Sequence, residues 1–209
     1  MSEPLVLLES HDSRRGWGTF LFREAVGQIQ AEKVEEVLPA LKRIEEAVAE
    51  GLHVAGFISY EAAAAFEPVM KVRAISGFPF LWFGLFRNRE EILPGRFERT
   101  GTCSLSEWKP LVSREEYDRA IREIHRLIVA GDTYQVNYTF RLHAQWQGEA
   151  LDLYRRLCRN QHAAYCGYLE FGQHRILSIS PELFFELKNG KLTTRPMKGT
   201  YPRGRWFEE

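Results

Sequence analysis

The sequence predicts an α+β fold that is strand-rich, with mostly antiparallel sheets and flanking helices. Short apolar runs of strand length recur along the chain, separate segments show the period of an amphipathic helix, and Asn189-Gly190 has the composition of a tight hairpin turn. The 209 residues are 44% hydrophobic and 27% charged, which are ordinary globular proportions with enough apolar mass for a core. A disordered or collagen-like chain is therefore excluded.

The predicted strands are five to nine residues long, and they lie at 4–9, 19–26, 53–60, 80–86, 134–142, 165–171, 175–179, 183–187 and 191–195, the last as the return strand of the hairpin. The clearest alternation is in 134–142, where Tyr134 and Val136 lie on one predicted face and Gln135 and Asn137 on the other. Between positions 88 and 109, glycine, proline and charged residues predict an exposed connection with little regular structure.

Helices are predicted over 32–50, 113–130 and 150–160, with a short helical or turn element at 62–66. The first carries one apolar stripe, in which Pro39 is expected to kink or split the helix. The second begins with a capping box of Ser113 and Glu116 and ends at Gly131.

Charge and cysteine usage exclude several classes of protein. The 28 basic and 28 acidic side chains cancel, so neither nucleic acid nor a membrane surface is predicted as a partner. Cys103, Cys158 and Cys166 are odd in number and irregularly spaced, which predicts neither a disulfide framework nor a zinc site and fits a reducing, cytoplasmic compartment. The six histidines show no ligand spacing, so no metal ligand is predicted among them. No run approaches the ~20 apolar residues of a membrane-spanning helix, and no targeting segment is visible.

The residues best suited to chemistry lie near the end of the sequence. Lys198 stands in Pro196-Met197-Lys198-Gly199-Thr200, where proline and glycine restrict the backbone and can present one amine rigidly. A lysine has a pKa of about 10.4 and must lose its proton before it can act as a nucleophile. Glu182 follows a proline and could protonate a leaving hydroxyl group.

Each of these patterns also has a simpler interpretation. On spacing alone, a solvated basic loop around Lys198 and a surface carboxylate at Glu182 are favoured over a catalytic pair. The polar residues Gln135 and Asn137 could line a pocket, or they could form the wet face of a sheet, which the pattern alone favours.

Three motifs, taken together, resemble a known family. Gly131-Asp132-Thr133-Tyr134-Gln135-Val136-Asn137, Ser178-Ile179-Ser180-Pro181-Glu182 and Arg195-Pro196-Met197-Lys198-Gly199-Thr200 are similar to motifs of the chorismate-utilising enzymes. Within that family the chain most resembles the aminodeoxychorismate synthase component I branch. Anthranilate synthases have similar motifs but carry alanine at the position of Lys198.

The resemblance implies specific roles. Lys198 would attack C2 of chorismate with loss of the C4 hydroxyl group, and ammonia would then add at C4 and expel the lysine. Glu182 would be the general acid and base for the departing hydroxyl. Asn137, Gln135 and Thr200 would lie in the substrate-binding site. Anthranilate synthase component I or another chorismate enzyme is the alternative within the family.

The resemblance also implies an incomplete protein. Residues 1–209 correspond to the N-terminal portion of a single chorismate-binding synthase domain with the anthranilate synthase and aminodeoxychorismate synthase component I fold. The Mg²⁺ ligands are expected in the missing C-terminal half, so this portion alone is expected to be inactive. A glutamine amidotransferase subunit would supply the ammonia, and the product would serve p-aminobenzoate and folate biosynthesis.

A second set of residues falls where the family has a tryptophan site: Ser10, Trp17, Gly18, Thr19, Phe20, Ala164, Tyr165 and Cys166. Ala164 stands where the family usually has proline, so the match is partial. A non-catalytic tryptophan-binding module is the alternative outside enzyme function.

Overall fold

A computed structural model describes residues 3–11, 18–73, 77–92 and 101–196. The chain divides into two compact units, one formed by Met1–Glu98 with Tyr154–Glu209 and the other by Arg99–Leu153. In chain order the strands are β1 (Leu5–Glu9), β2 (Thr19–Ala31), β3 (His53–Ile58), β4 (Leu81–Ile92), β5 (Ser104–Leu105), β6 (Lys109–Pro110), β7 (Leu142–His143), β8 (Trp146–Gln147), β9 (Tyr165–Phe171), β10 (His174–Ser180), β11 (Leu183–Lys188) and β12 (Lys191–Arg195). The α-helices are α1 (Val37–Ala49), α2 (Ala63–Phe66), α3 (Arg114–Ala130) and α4 (Ala150–Gln161), with 3₁₀ turns at Val34–Glu36 and Tyr60–Ala62.

The first unit is built on a six-stranded sheet with the order β10-β9-β1-β2-β4-β3. Every neighbouring pair in it is antiparallel. The first strand of the sequence therefore lies in the middle of the sheet, between β2 and β9, which come from distant parts of the chain. This arrangement confirms the prediction of an antiparallel, strand-rich α+β fold.

Two hydrophobic clusters hold this sheet together. In the first, Trp82 is fully buried, stacks on Phe171 with ring centroids 4.5 Å apart, and donates its indole N–H to Gln28 Oε1 at 3.0 Å. In the second, Val37 and Ala40 pack α1 against buried residues of β2 and β4. Burial of a large apolar side chain contributes roughly 1.5–3 kcal/mol, so these clusters supply much of the driving force for folding.

The helix predictions hold, with one difference at Pro39. A 3₁₀ turn precedes α1, which begins at Val37, so Pro39 lies in the first helical turn. The backbone N–H groups of the first helical turn have no acceptor within the helix. A proline in this turn is therefore tolerated, because the N–H that it lacks would have made no helix hydrogen bond. The expected kink or split is therefore wrong as stated: the helix starts late and continues past the proline.

In the second unit, α3 begins and ends as predicted. The Ser113 hydroxyl accepts a hydrogen bond from the Glu116 backbone N–H at 3.2 Å, and the Glu116 carboxylate accepts one from the Ser113 N–H at 2.7 Å. Gly131 closes the helix with φ of 81°, a conformation that glycine adopts without strain.

Replacing Ser113 with alanine is expected to destabilise the first turn of α3 by about 1 kcal/mol, because one orphan N–H loses its acceptor. Faster amide hydrogen exchange in that turn would measure the effect. Ser113→Asp is the matched control, since aspartate caps helices equally well. Equal exchange in all three proteins would contradict the prediction.

The predicted strand at 134–142 is wrong. Residues 134–141 have no regular structure, and only Leu142–His143 form a short strand, β7, which pairs with β6. The aromatic residues of the alternating pattern instead contact α3: Tyr138 and Phe140 lie 5.8 and 5.9 Å from Tyr117, measured between ring centroids. Side chains packed against a helix produced the alternation, and the backbone of 134–141 pairs with no strand in the described part of the chain.

The connection expected between positions 88 and 109 is also shorter than predicted. Strand β4 continues to Ile92 because it pairs along the whole of β2, from Thr19↔Ile92 to Ala31↔Leu81. Two-residue strands also occur at β5 and β6.

The hairpin at Asn189-Gly190 is confirmed. It joins β11 and β12, and the φ angles of the two residues, 52° and 73°, are those of a turn with both central residues left-handed. Within the described ranges, the helices are too short or too polar for any of them to cross a membrane.

Candidate functional site

A buried polar cluster lies at one end of the central sheet of the first unit. Glu9 at the end of β1 is only 1% exposed and pairs across the sheet with Cys166 of β9. From α4, Tyr154, Arg155 and Cys158 point into the same region, and Arg155 is only 5% exposed. Positions 154, 155 and 158 share one face of a helix, which explains how one element supplies all three side chains.

An ion pair stands at the centre of this cluster. The Arg155 guanidinium donates a hydrogen bond through Nη1 to Glu9 Oε1. The imidazole of His11 lies beside the same carboxylate, with Nε2 3.2 Å from Glu9 Oε1. Buried charges persist in proteins when they are paired in this way.

The ion pair also decides the protonation of the carboxyl group. Burial alone would raise the pKa of Glu9, but the hydrogen bond and charge of Arg155, with His11 and Tyr154, outweigh burial and hold this pKa below its ordinary value of 4.5. Burial and the nearby Glu9 charge raise the pKa of Tyr154, so its hydroxyl stays neutral. At neutral pH the cluster therefore holds a carboxylate and a phenol side by side.

Among the residues that the structure describes, several buried polar atoms at this end of the sheet have no hydrogen bond of good geometry. They are Glu9 Oε2, Thr19 Oγ1, Tyr154 OH and Arg155 Nε. Buried polar atoms are paired in the great majority of cases, so a group of this kind at one place points to a ligand, an ion or water as the partner.

A thiol and imidazole group adjoins the ion pair. His11, Cys158 and Cys166 place their possible ligand atoms within 4.8 Å of one another. A hydrogen bond between the two thiols lowers the pKa of Cys158 and raises that of Cys166, so Cys158 ionises first. Spacing along the sequence predicted no metal ligand here, and it missed this group because its members come from three separate elements.

The register also brings together most of the residues predicted to bind tryptophan. Ser10 follows Glu9 directly. Gly18 precedes β2, which begins with Thr19 and Phe20, and Phe20 pairs with Leu8. Ala164 precedes β9, which begins with Tyr165 and Cys166. Trp17 lies outside the described residues. The set thus shares one end of the sheet with the buried cluster, and its binding of tryptophan stays a prediction.

Glu182 lies between β10 and β11 and is exposed. Its backbone N–H donates to Ser180 Oγ at 3.1 Å, and the Ser180 hydroxyl donates in turn to the Glu182 carbonyl at 3.1 Å, which fixes the turn. Leu183, the next residue, pairs with Arg195 of β12. Strand β12 therefore ends beside Glu182.

Lys198 and Thr200 lie outside the described residues. The sequence places Lys198 three residues after Arg195. Their catalytic and binding roles stay predictions.

Gln135 and Asn137 belong to the second unit and are exposed. They do not form the polar face of a strand, because residues 134–141 have no regular structure. The Thr133 hydroxyl donates to the Gln135 carbonyl at 3.1 Å, which holds the start of this segment in a turn. A place in the substrate site stays a prediction for both residues.

The described residues do not offer a magnesium site. Among them, the group with metal-ligand geometry is His11, Cys158 and Cys166. Mg²⁺ takes oxygen ligands, whereas imidazole and thiolate suit zinc and related ions.

Stability is expected to fall in acid through Glu9. The pKa of Glu9 is lower in the folded state than its ordinary value of 4.5. The ionised side chain therefore contributes fully to the free energy of unfolding above that ordinary pKa, and this contribution is lost as the pH falls through the lower pKa of the folded state. Urea unfolding from neutral pH into acid would measure this loss. The Glu9→Gln protein should be less stable at neutral pH and should lose less stability in acid than the native chain; parallel curves would contradict the assignment.

Comparison with known proteins places the fold and the motifs in one family. A family model described as chorismate binding enzyme matches residues 6–209. Aminodeoxychorismate synthase component 1 of Klebsiella aerogenes is 39% identical over 98 residues, covering 47% of this chain and 22% of that protein. Anthranilate synthase component 1 of Aquifex aeolicus is 32% identical over 102 residues, covering 49% of this chain and 21% of that protein.

The fold is shared with a solved structure. The crystal structure of anthranilate synthase component I from Streptococcus pneumoniae superposes with a TM-score of 0.70 at 19% identity, over 88% of this chain and 54% of that chain. This chain thus covers about half of that structure, and the aligned parts cover about a fifth of the curated relatives. The predicted fold class and family resemblance are confirmed, while the assignment of residues 1–209 to one portion of a single synthase domain stays a prediction. Since the family model covers residues 6–209, the chain belongs to the chorismate-binding enzyme family.

Proposed function

We propose that this chain is the lysine-bearing N-terminal portion of an aminodeoxychorismate synthase component I, which makes 4-amino-4-deoxychorismate from chorismate and ammonia. The observation that carries the proposal is the pairing of Leu183 with Arg195. It sets Glu182, the proposed acid, beside the end of the strand that leads to Lys198, the proposed nucleophile. Relatives named aminodeoxychorismate synthase component 1 support the same reading.

The proposed reaction divides one difficult substitution into two displacements. The neutral amine of Lys198 forms a bond to C2 of the chorismate ring, both double bonds of the ring diene shift by one position, and the C4–O bond breaks. Glu182 gives its proton to the departing hydroxyl, which leaves as water. Ammonia then forms a bond to C4, both double bonds shift back, and the C2–N bond breaks with its electron pair returning to Lys198. The ammonium formed at C4 gives one proton to the Glu182 carboxylate, which restores the acid. The sum is chorismate plus ammonia giving aminodeoxychorismate plus water.

The remaining roles belong to the same proposal. Gln135, Asn137 and Thr200 would contact the substrate, and a glutamine amidotransferase subunit would supply ammonia. Magnesium would be held by residues of the C-terminal part of the enzyme, and the product would enter p-aminobenzoate and folate synthesis in the cytoplasm. These assignments rest on the family motifs.

Anthranilate synthesis is the second candidate, because relatives named anthranilate synthase component 1 also match this chain. Lys198 favours the first candidate, since the family motif of anthranilate synthases has alanine there. The identity of the product separates the two.

The deciding experiment joins residues 1–209 to the corresponding C-terminal part of the Klebsiella aerogenes relative. The fused protein is incubated with chorismate, ammonium and Mg²⁺, and the products are separated by chromatography. Aminodeoxychorismate is expected. Accumulation of anthranilate, or the absence of any product from a folded fusion that binds chorismate, would overturn the proposal.

Glu182→Gln in the same fusion is expected to lower kcat by about 10²–10⁴-fold, the usual effect of removing a general acid. The glutamine keeps the size of the side chain but cannot protonate a hydroxyl. Glu186→Gln on the same hairpin is the matched control and should retain full activity. A Glu182→Gln protein with unchanged kcat would exclude this residue as the acid.

A further inference from the structure

We propose that His11, Cys158 and Cys166 form a binding site for a zinc-class divalent cation, at the junction of α4 with β1 and β9. This site lies in the first unit and uses neither Glu182 nor Lys198. The inference is therefore independent of the proposed synthase chemistry.

The donor set suits zinc. Zn²⁺ binds thiolate sulfur at about 2.3 Å and imidazole nitrogen at about 2.0–2.1 Å, usually in a tetrahedral arrangement. Donors at those bond lengths lie roughly 3.3–3.8 Å from one another. The ligand atoms of His11, Cys158 and Cys166 already lie within 4.8 Å of one another, so small side-chain rotations would bring them to that geometry.

The backbone holds the three ligands firmly. Cys166 lies in β9, which pairs on both sides, with Glu9 of β1 and with Ile179 of β10. The His11 backbone N–H donates to the Ala163 carbonyl at 3.1 Å, which ties the end of β1 to the start of β9. Cys158 is fully buried on α4. Ligands on paired strands and a packed helix form a preorganised site.

The surroundings provide both a partner for the imidazole and a route for the ion. Glu9 Oε1 lies 3.2 Å from His11 Nε2, and in the described part of the chain neither that nitrogen nor Glu9 Oε2 has another hydrogen-bond partner. A carboxylate beside a ligating histidine orients the ring and strengthens binding. His11 is 22% exposed, so the group opens to solvent on its side.

The charges balance when the ion is bound. Glu9 and Arg155 neutralise each other, and a dication with two thiolates adds no net charge to the buried region. Binding would therefore displace the protons that the two thiols still carry, which is at most two per ion. If the two thiols are merely packed together and bind no metal, adding Zn²⁺ should release no protons.

The test uses the full 209-residue chain, reduced and freed of metal, titrated with Zn²⁺ and with Co²⁺ as a spectroscopic probe. One ion per chain, release of protons up to two per ion, and a thiolate-to-cobalt charge-transfer band are expected. Cys158→Ser and Cys166→Ser should each lose that band, whereas Cys103→Ser, whose thiol lies in the second unit, should keep it. Retention of the band in both cluster variants, or its loss in Cys103→Ser, would overturn the proposal.

A measurement on the native chain covers the case in which a cluster variant fails to fold. Zn²⁺ should protect Cys158 and Cys166, but not Cys103, from alkylation after partial unfolding and refolding, as read by peptide mass spectrometry. Glu9→Gln should weaken zinc binding about 10–100-fold, the usual effect of removing such a carboxylate. Equal labelling of all three thiols with and without Zn²⁺, or a Cys158–Cys166 disulfide without any zinc binding, would refute the site.

Discussion

Lys198→Ala is expected to abolish the ammonia-dependent formation of aminodeoxychorismate in the fusion with the Klebsiella aerogenes C-terminal part. Alanine has no electron pair to offer to C2, so the covalent intermediate cannot form. The loss should exceed the about 10²–10⁴-fold expected for Glu182→Gln, because the reaction loses its nucleophile and not only a proton donor. Chromatography of the products measures the effect.

Two further measurements make this result specific. When the fusion is incubated with chorismate and Mg²⁺ in the absence of ammonium and then quenched, mass spectrometry should find chorismate-derived mass on the peptide that contains Lys198. Lys191→Ala is the matched control, because Lys191 is an exposed lysine on the strand that leads to Lys198. The control should retain activity, and both variants should unfold at the same temperature as the parent. Turnover near the parent level in Lys198→Ala would remove the covalent mechanism.

The sequence predicts the architecture well where a segment's pattern reflects its own burial. Strand β1 reads as a buried strand because it lies in the middle of the sheet, and the Asn189-Gly190 turn is determined by its own two residues. The segment 134–142 misleads for the converse reason. Two of its aromatic residues, Tyr138 and Phe140, contact Tyr117 of α3, and alternation alone does not reveal whether a strand partner exists.

The two candidate sites differ in the same respect, because one is continuous in sequence and the other is assembled from distant segments. The motif containing Glu182 is continuous in sequence, so its position on a turn beside β12 follows from the hairpin that the sequence already predicts. The cluster of Glu9, His11, Arg155 and Cys166 depends on β1 lying between β2 and β9, a long-range arrangement that no local pattern encodes. A charged residue at the end of an apolar strand, such as Glu9, is the one signal that could have suggested a buried partner.

The largest effect on stability is expected from Arg155→Met. This change leaves the Glu9 carboxylate buried without its cation, and breaking a buried ion pair in this way costs about 3–5 kcal/mol of the free energy of unfolding. Because most domains are stable by only about 5–15 kcal/mol, the variant should approach the unfolding threshold. Urea unfolding followed by circular dichroism measures the change.

The double variant Glu9→Leu/Arg155→Met should recover most of that loss, because apolar side chains of similar volume need no partner in a buried region. Recovery would show that the penalty arises from the unpaired charge and not from lost packing of the arginine stem. Arg126→Met is the matched control: Arg126 pairs with Glu123 on the surface of α3, and water replaces that contact when it is removed, so stability should hardly change. If Arg155→Met and Arg126→Met destabilise the chain equally, the Glu9–Arg155 pair carries no special energetic weight. If only Arg155→Met destabilises the chain and the double variant is restored, the cost is that of leaving the Glu9 carboxylate buried without its cation.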